Sequence, residues 1–256
     1  MTRITLAAIC AISLCAAACS GKNPIVPDGT LQPDRFLFER GTEELDKKNW
    51  TNARTYFLQI IDGYPQSTLR ADAKLGVGDS YLGESSTESV LMAANEFTEY
   101  LNFYPTSAKA DYAQYKLAMS HFSKMRAPER DQTETREAVK EFDAFFERWA
   151  DSPLAPEVRE KAREARDRLT SADYHVGIFY FKTKWYPGAI ARFRGVLADD
   201  PDFSLRDGVY FYLAECLART DKKAEAIPYL ERLLAEFTDS EFLPDGKLRL
   251  EELKAQ

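Results

Sequence analysis

A spacing of glycine, alanine, phenylalanine and proline occurs twice in this chain and limits its possible folds more than any other sequence feature. Each copy has a glycine 24 residues, an alanine 12 residues and a phenylalanine 8 residues before a proline. The two copies are Gly41, Ala53, Phe57 and Pro65, and Gly177, Ala189, Phe193 and Pro201. Small residues let two helices cross closely, an aromatic ring fills the space between them, and proline stops the second helix. The spacing therefore predicts packed pairs of helices that recur along the chain.

Three further segments repeat the pattern with changes. They contain Gly78, Ala93, Phe97 and Pro105; Ala118, Ala138, Phe142 and Ala150; and Ala214, Ala226, Leu230 and Thr238. In this frame the chain resembles the tetratricopeptide repeat family, whose unit is a helix–turn–helix of about 34 residues. Helical periodicity runs throughout, and strand-like alternation is scarce. The predicted fold is an all-α, tetratricopeptide-like helical-hairpin solenoid of about five repeats.

The segment between the third and fourth repeats predicts one long helix. It enters at Pro156, and Glu157 stands four residues before Lys161. One face carries Val158, Ala162, Ala165, Leu169, Ala172 and Val176. This helix, roughly 40 Å long at ~1.5 Å per residue, would join repeats three and four. The alternative is two helices broken near Thr170 and Ser171.

The N-terminus has the layout of a lipoprotein signal. Arg3 precedes an apolar run too short to span a membrane, and three alanines precede Cys19. We therefore predict a signal peptide over 1–18 and fatty acyl chains such as palmitate on Cys19, with ordinary cleavage and secretion as the alternative. Residues 19–34, rich in proline and glycine, are expected to form a lipid-anchored tether. Because Ser20 is not aspartate, resemblance to the lipoprotein sorting rule implies the inner leaflet of an outer membrane.

The folded part is expected to divide by its repeats. Residues 35–155 would hold repeats one to three, and residues 156–256 the long helix with repeats four and five. These boundaries follow the repeat spacing alone.

The chain shows no constellation that would perform catalysis. Its net charge of −7 argues against nucleic acid as a partner. The two histidines, His121 and His175, are far apart in sequence, and no metal cluster or phosphate loop is evident. Cys216 lies in an apolar run and is expected to be buried and inert. The sequence thus predicts a protein that is not an enzyme and needs neither cofactor nor metal.

Stacked repeats leave an inner face, made by the first helix of each pair, on which partners bind. The positions on this predicted face are Arg35, Phe38, Tyr112, Tyr115, Met119 and Phe122. Aromatic residues and arginine often anchor peptides, so we interpret the set as a substrate-peptide groove. The alternative is that these rings fill the core between helices. In the fourth repeat, Arg192 and Arg194 flank Phe193, either as solvated arginines or as contacts to a partner carboxylate.

The order of these features, with the phrases CSGKN, NWTNARTYF, RDQTETREAVKEF and KWYPGAIARFRGVLADDPD, resembles the BamD family of outer-membrane assembly lipoproteins, also called ComL or YfiO. The resemblance covers about residues 19–240. It implies a non-enzymatic subunit of the outer-membrane β-barrel assembly (BAM) complex, lipid-anchored on the periplasmic side of the outer membrane.

Its implied partners are a BamA-like barrel protein, bound through periplasmic domains, and unfolded outer-membrane proteins, received by the N-terminal repeats. Other assembly lipoproteins are possible further partners. Arg192 stands where the family has an arginine that faces BamA. The competing hypothesis is a lipidated periplasmic tetratricopeptide scaffold for cell-wall or envelope-division proteins, and a third is a cell-wall-active enzyme.

Overall fold

Eleven α-helices form the part of the chain that a computed structural model describes, residues 26–255. The predicted signal peptide, Cys19 and the first part of the tether, through residue 25, lie outside these residues. The described chain divides into two compact units, with the boundary between Pro105 and Thr106. The division of the repeats between 155 and 156 stays a prediction.

The first unit holds the first two helix pairs. Its helices are α1 (Pro33–Asp46), α2 (Trp50–Gly63), α3 (Arg70–Glu84) and α4 (Thr87–Phe103). Each packs on the next along the chain. The core of this unit is built around Leu37, Phe57, Ile60 and Val77, all buried.

The second unit holds the remaining pairs and a final single helix. Its helices are α5 (Ala110–Phe122), α6 (Thr133–Trp149), α7 (Ala155–Lys182), α8 (Tyr186–Asp199), α9 (Arg206–Ala218), α10 (Lys223–Glu236) and α11 (Leu243–Ala255). The all-α, tetratricopeptide-like fold predicted from the sequence is confirmed.

The repeated spacing marks the places where helices cross. Phe57 is 1% exposed, and a Cβ added at Gly41 or at Gly76 would stand only 2.7 or 2.5 Å from its ring. The fourth repeat has the same arrangement, because a Cβ at Gly177 would stand 2.6 Å from the ring of Phe193. Such contacts are too close for any side chain. Glycine at these sites is therefore required by the ring that fills the crossing.

The predicted long helix is continuous from Ala155 to Lys182, 28 residues or about 42 Å. There is no break near Thr170. The first half of α7 packs on α5 and α6 through Val158, Ala162 and Ala165, and its second half packs on α8 and α9 through Tyr174. One helix thus joins the third repeat to the fourth.

The segment that closes the first repeat, YPQS at residues 64–67, forms a hydrogen-bonded turn. The Ser67 hydroxyl donates to Asp34 Oδ2 at 2.6 Å and accepts the backbone N–H of Leu69 at 3.1 Å. Ser152 binds Asp111 in the same way, and Ser240 binds Asp207. In these three repeats the serine ties the end of the second helix to the start of the first.

The fourth repeat closes differently. Phe203 occupies the serine position and is buried. The carboxylate of Asp200 instead accepts hydrogen bonds from Thr170, at 3.0 Å, and from both terminal nitrogens of Arg163. Burial favours protonated Asp200, but the bonds from Arg163 and Thr170 outweigh it and hold the pKa of this carboxyl below its usual value.

Candidate interaction surfaces

Most side chains of the predicted peptide groove in the third repeat lie in the core. Tyr115 is 6% exposed, and its hydroxyl donates to Glu157 Oε1 at 2.7 Å, which joins α5 to α7. Burial, helped by the negative charge of Glu157, raises the pKa of Tyr115. Met119 and Phe122 are partly buried in the same cluster, and Phe122 meets the ring of Phe142 edge-on, with centroids 6.1 Å apart. Their structural role is to hold α5, α6 and α7 together.

Tyr112 differs from the other three in its position relative to the core. It is half-buried and lies outside the core cluster, and the Lys116 ammonium stands 5.2 Å from its ring centroid. A ring beside a cation can still receive a peptide side chain.

In the first unit, Arg35 and Phe38 also differ in their exposure to solvent. Arg35 is exposed and paired with Glu39 at 3.0 Å on α1. Phe38 is half-buried, with its ring 5.6 Å from that of Phe57. Only Arg35 is free to turn toward a partner without disturbing the core. Peptide binding by the whole set stays a prediction.

Arg192 and Arg194 lie on the exposed side of α8, on either side of the buried Phe193. Each side chain is nearly half exposed, and each has an intramolecular partner. Arg192 donates to Asp173 Oδ1 on α7 at 2.9 Å, and Arg194 pairs with Glu225 on α10. Exposed pairs of this kind contribute only ~0–1 kcal/mol, so a partner's carboxylate can replace them at little cost.

A groove of about 260 Å³ lies beside Arg192, between α6, α7 and α8. Its aliphatic lining is Val139, Leu169 and Val196, and its acidic lining is Asp143, Asp173, Asp199 and Asp200. Thr170 and Arg166, which is paired with Asp143, complete the lining. The sequence analysis did not predict this groove, because its walls come from three different helices.

An exposed aromatic corner lies where α7 meets α8, and it too was missed. Phe179 and Trp185 are 60% and 55% exposed. Tyr180 packs edge-on against Trp185, with centroids 4.5 Å apart, and Lys182 and Lys184 flank the corner. The phrase KTKWYPG was the available signal.

The cysteine and the two histidines lie apart from one another. The cysteine is buried, and each histidine is paired with a glutamate. Cys216 is buried, and burial raises the pKa of its thiol to about 12, so the reactive thiolate is scarce at neutral pH. His121 binds Glu134 at 2.9 Å, and His175 binds Glu129. Across residues 26–255, no three potential metal ligands come together. Over the same range, no helix is long and apolar enough to cross a membrane.

The helix pairs and the filled crossings define a tetratricopeptide-like helical-repeat protein. A tetratricopeptide repeat model matches residues 209–240. The YfiO family model, described as "Outer membrane lipoprotein", matches residues 31–212, well over half of the chain. The protein therefore belongs to the YfiO family of outer membrane lipoproteins.

Curated relatives agree with this membership. The chain is 26% identical to the outer membrane protein assembly factor BamD of Caulobacter vibrioides, over 87% of this chain and 72% of that protein. It is 25% identical to the BamD of Rickettsia prowazekii, over 75% of this chain and 74% of that protein.

Two solved structures are also similar. One is a tetratricopeptide repeat protein from Parabacteroides merdae, with a TM-score of 0.38 and 13% identity over 87% of each chain. The other is the TPR2AB domain of yeast Sti1 in complex with an Hsp90 peptide, with a TM-score of 0.43 and 9% identity over 86% of this chain and 98% of that one.

Proposed function

We propose that this protein is a non-enzymatic lipoprotein subunit of the outer-membrane β-barrel assembly complex. In this role it binds a BamA-like barrel subunit through its fourth repeat and receives incoming barrel proteins on its N-terminal repeats. Cys19 carries the lipid that anchors it to the periplasmic side of the outer membrane.

The observation that carries this proposal is the extent of the family match. Residues 31–212 run from the tether to α9, and the relatives that match over most of their own length are named outer membrane protein assembly factors. A match limited to the repeat frame would support only a scaffold, because tetratricopeptide repeats serve many partners.

The geometry of Arg192 supports the fourth repeat as the contact for the barrel subunit. The side chain is accessible, lies on the second helix of that repeat, and is held only by an exposed pair with Asp173. A guanidinium can bind a carboxylate through two parallel hydrogen bonds, which gives such a contact its specificity.

Affinity purification of the tagged, lipidated protein from gently solubilised envelopes tests the proposal. We expect a barrel protein with periplasmic domains to be recovered in near-stoichiometric amount. Recovery of cell-wall or envelope-division proteins in its place would overturn the proposal and favour the scaffold alternative.

Charge reversal at Arg192 tests the contact. Arg192→Glu should weaken binding to the periplasmic domains of the barrel subunit by about tenfold or more, because two carboxylates would then face each other. Arg40→Glu is the matched control and should leave this affinity unchanged. Arg40 is as exposed as Arg192 and also forms a surface ion pair, with Glu43. Equal affinity for wild type and Arg192→Glu would remove this contact from the proposal.

For the incoming barrel proteins, Tyr112 and Tyr115 separate binding from stability. Tyr112→Ala should lower affinity for an unfolded barrel-protein peptide with little effect on thermal stability. Tyr115→Ala should lower stability first, because it opens a cavity and leaves Glu157 without its hydrogen-bond donor. Unchanged peptide affinity in Tyr112→Ala would argue against this surface.

A further inference from the structure

Gly195 is a helical glycine that the packing of the second unit does not require. At Gly41, Gly78 and Gly177, an added Cβ would stand within 2.7 Å of an aromatic ring, whereas at Gly195 it would meet nothing within 4 Å. The backbone of Gly195 is helical, so no left-handed conformation demands glycine either. Alanine would make the helix more stable at such a site. The glycine therefore has no benefit within the described molecule.

The position of Gly195 on α8 is central to the face that turns away from the core. It follows the buried Phe193 by two residues, which places it roughly 200° around the helix. Arg192 and Asp199 stand three residues before and four residues after it, on the same side of α8. Asp199 is exposed, and its side chain has no hydrogen bond or ion pair with any described residue. A cation and an unpaired anion thus border a site where only backbone is presented.

The groove between α6, α7 and α8 begins at this same face. Asp173, the intramolecular partner of Arg192, and Asp199 both line it, and Val139, Leu169 and Val196 form its aliphatic part. Arg166, the cation of the lining, is paired with Asp143. A lysine or arginine has an apolar stem and a charged end, so its side chain matches the aliphatic groups together with the carboxylates of Asp173 and Asp199.

We propose that Gly195 and this groove form one docking surface for a closely packed segment of the partner protein. The partner's main chain lies against Gly195, its carboxylate takes Arg192 from Asp173, and its basic side chain enters the groove to pair with Asp173 and Asp199. This inference rests on the proposed function, because it takes Arg192 as the partner contact. Beyond that function, it states that the partner's main chain contacts α8 at Gly195 and that the partner has an acidic residue near a basic one.

Gly195→Ala tests the close approach, because stability and binding should move in opposite directions. In the full-length protein alone, the substitution should raise the Tm by about 2–4 °C. Binding to the purified periplasmic domains of the barrel subunit should weaken by about tenfold, since a methyl group would occupy the space of the partner's backbone. Gly63→Ala is the matched control. A Cβ at Gly63, the last residue of α2, also meets nothing, so that variant should leave the Kd unchanged.

Asp199→Asn tests the charge pattern separately. It should raise the Kd severalfold and make binding less sensitive to salt, because one attraction to a partner cation is lost. Asp62→Asn, an exposed aspartate at the end of α2, should change neither quantity.

The failure of this inference is distinguishable from that of the proposed function. If Gly195→Ala raises the Tm and leaves the Kd unchanged while Arg192→Glu weakens binding, the docking surface is wrong and the proposed function stands. If Arg192→Glu, Gly195→Ala and Asp199→Asn all bind as wild type does, the fourth repeat is not the contact. The docking surface and the proposed contact with the barrel subunit are then both wrong.

Discussion

The first and the fourth repeats share one frame and close it with different chemistry. Both have a ring against a glycine, Phe57 on Gly41 and Phe193 on Gly177. In the first repeat, however, a serine donates to Asp34, whereas in the fourth Asp200 is the acceptor and Thr170 the donor. The helix crossing is the same in both repeats, because the ring must fit the space beside the glycine. The turn differs, because the hydrogen-bond donor can come from the turn, as Ser67 does, or from the first helix, as Thr170 does.

Because its closing turn has Asp200 as the acceptor in place of a serine donor, the fourth repeat has an additional ion pair, between Asp200 and Arg163. Arg163 comes from the first half of α7, so its bonds to Asp200 fix the long helix to the end of α8. The groove that we propose as a docking surface opens beside this contact. A neutral serine turn would give α7 no such bond.

Removing the shared ring is expected to have the largest effect. Phe57→Ala and Phe193→Ala should each lower the free energy of unfolding by about 3–5 kcal/mol, because each empties a crossing with no other side chain to fill it. Urea unfolding gives the totals, and hydrogen exchange on α2 and α8 assigns each loss to its repeat. A loss below ~1 kcal/mol in only one variant would show that the two rings do not contribute equally to stability.

The second effect separates the two turns. Asp200→Ala should lower the free energy of unfolding by about 2 kcal/mol, because it leaves the partly buried Arg163 with only Asp167 as a partner. The figure is smaller than for a fully buried pair, since a third of the Arg163 side chain is exposed. Asp202→Ala is the control, as Asp202 is almost fully exposed in the same turn. Equal stability of the two variants would show that the charged contact is dispensable.

The crossings could be read from the sequence because they need particular residue types at fixed distances. Gly41, Phe57 and their counterparts are determined by local sequence and by the contact between neighbouring helices. The long helix was also readable, because apolar residues from Val158 to Val176 follow one face without interruption.

The binding surfaces could not be read in the same way. Helix α5 buries residues on several sides, from Ala113 and Gln114 to Leu117 and Ser120, so periodicity does not tell a core tyrosine from a surface one. Tyr115 proved to be core. The groove depends on α6 and α8 both packing on α7, which is a tertiary arrangement with no spacing of its own.

A smaller effect is expected from the serine turn. Ser67→Ala should cost about 1 kcal/mol, the usual value for losing a hydroxyl that donates to Asp34 and accepts a helix N–H. Ser152→Ala and Ser240→Ala should cost similar amounts, because their turns have the same bonds. Urea unfolding of the three variants measures this. A cost equal to that of Asp200→Ala would remove the distinction between neutral and charged turns.

The smallest effect is the acid dependence of the two turns. The pKa of Asp34 is lowered chiefly by the Ser67 hydrogen bond, and the pKa of Asp200 is lowered because Arg163 and Thr170 outweigh its burial. A carboxyl whose pKa is lower in the folded state contributes stability above its unfolded pKa of about 3.9, and this is lost as the pH falls through the folded value. Both turns should therefore weaken below about pH 4.

Asparagine variants isolate each contribution, because they remove the titration and keep an acceptor oxygen. The drop in the free energy of unfolding between pH 6 and pH 3 should be smaller in Asp200→Asn and in Asp34→Asn than in wild type. High salt should reduce the difference for Asp200, whose partner is a charged guanidinium, more than for Asp34, whose partner is a neutral hydroxyl. Equal salt sensitivity of the two variants would mean that the ion pair with Arg163 contributes no more to the fourth turn than a hydroxyl contributes to the first.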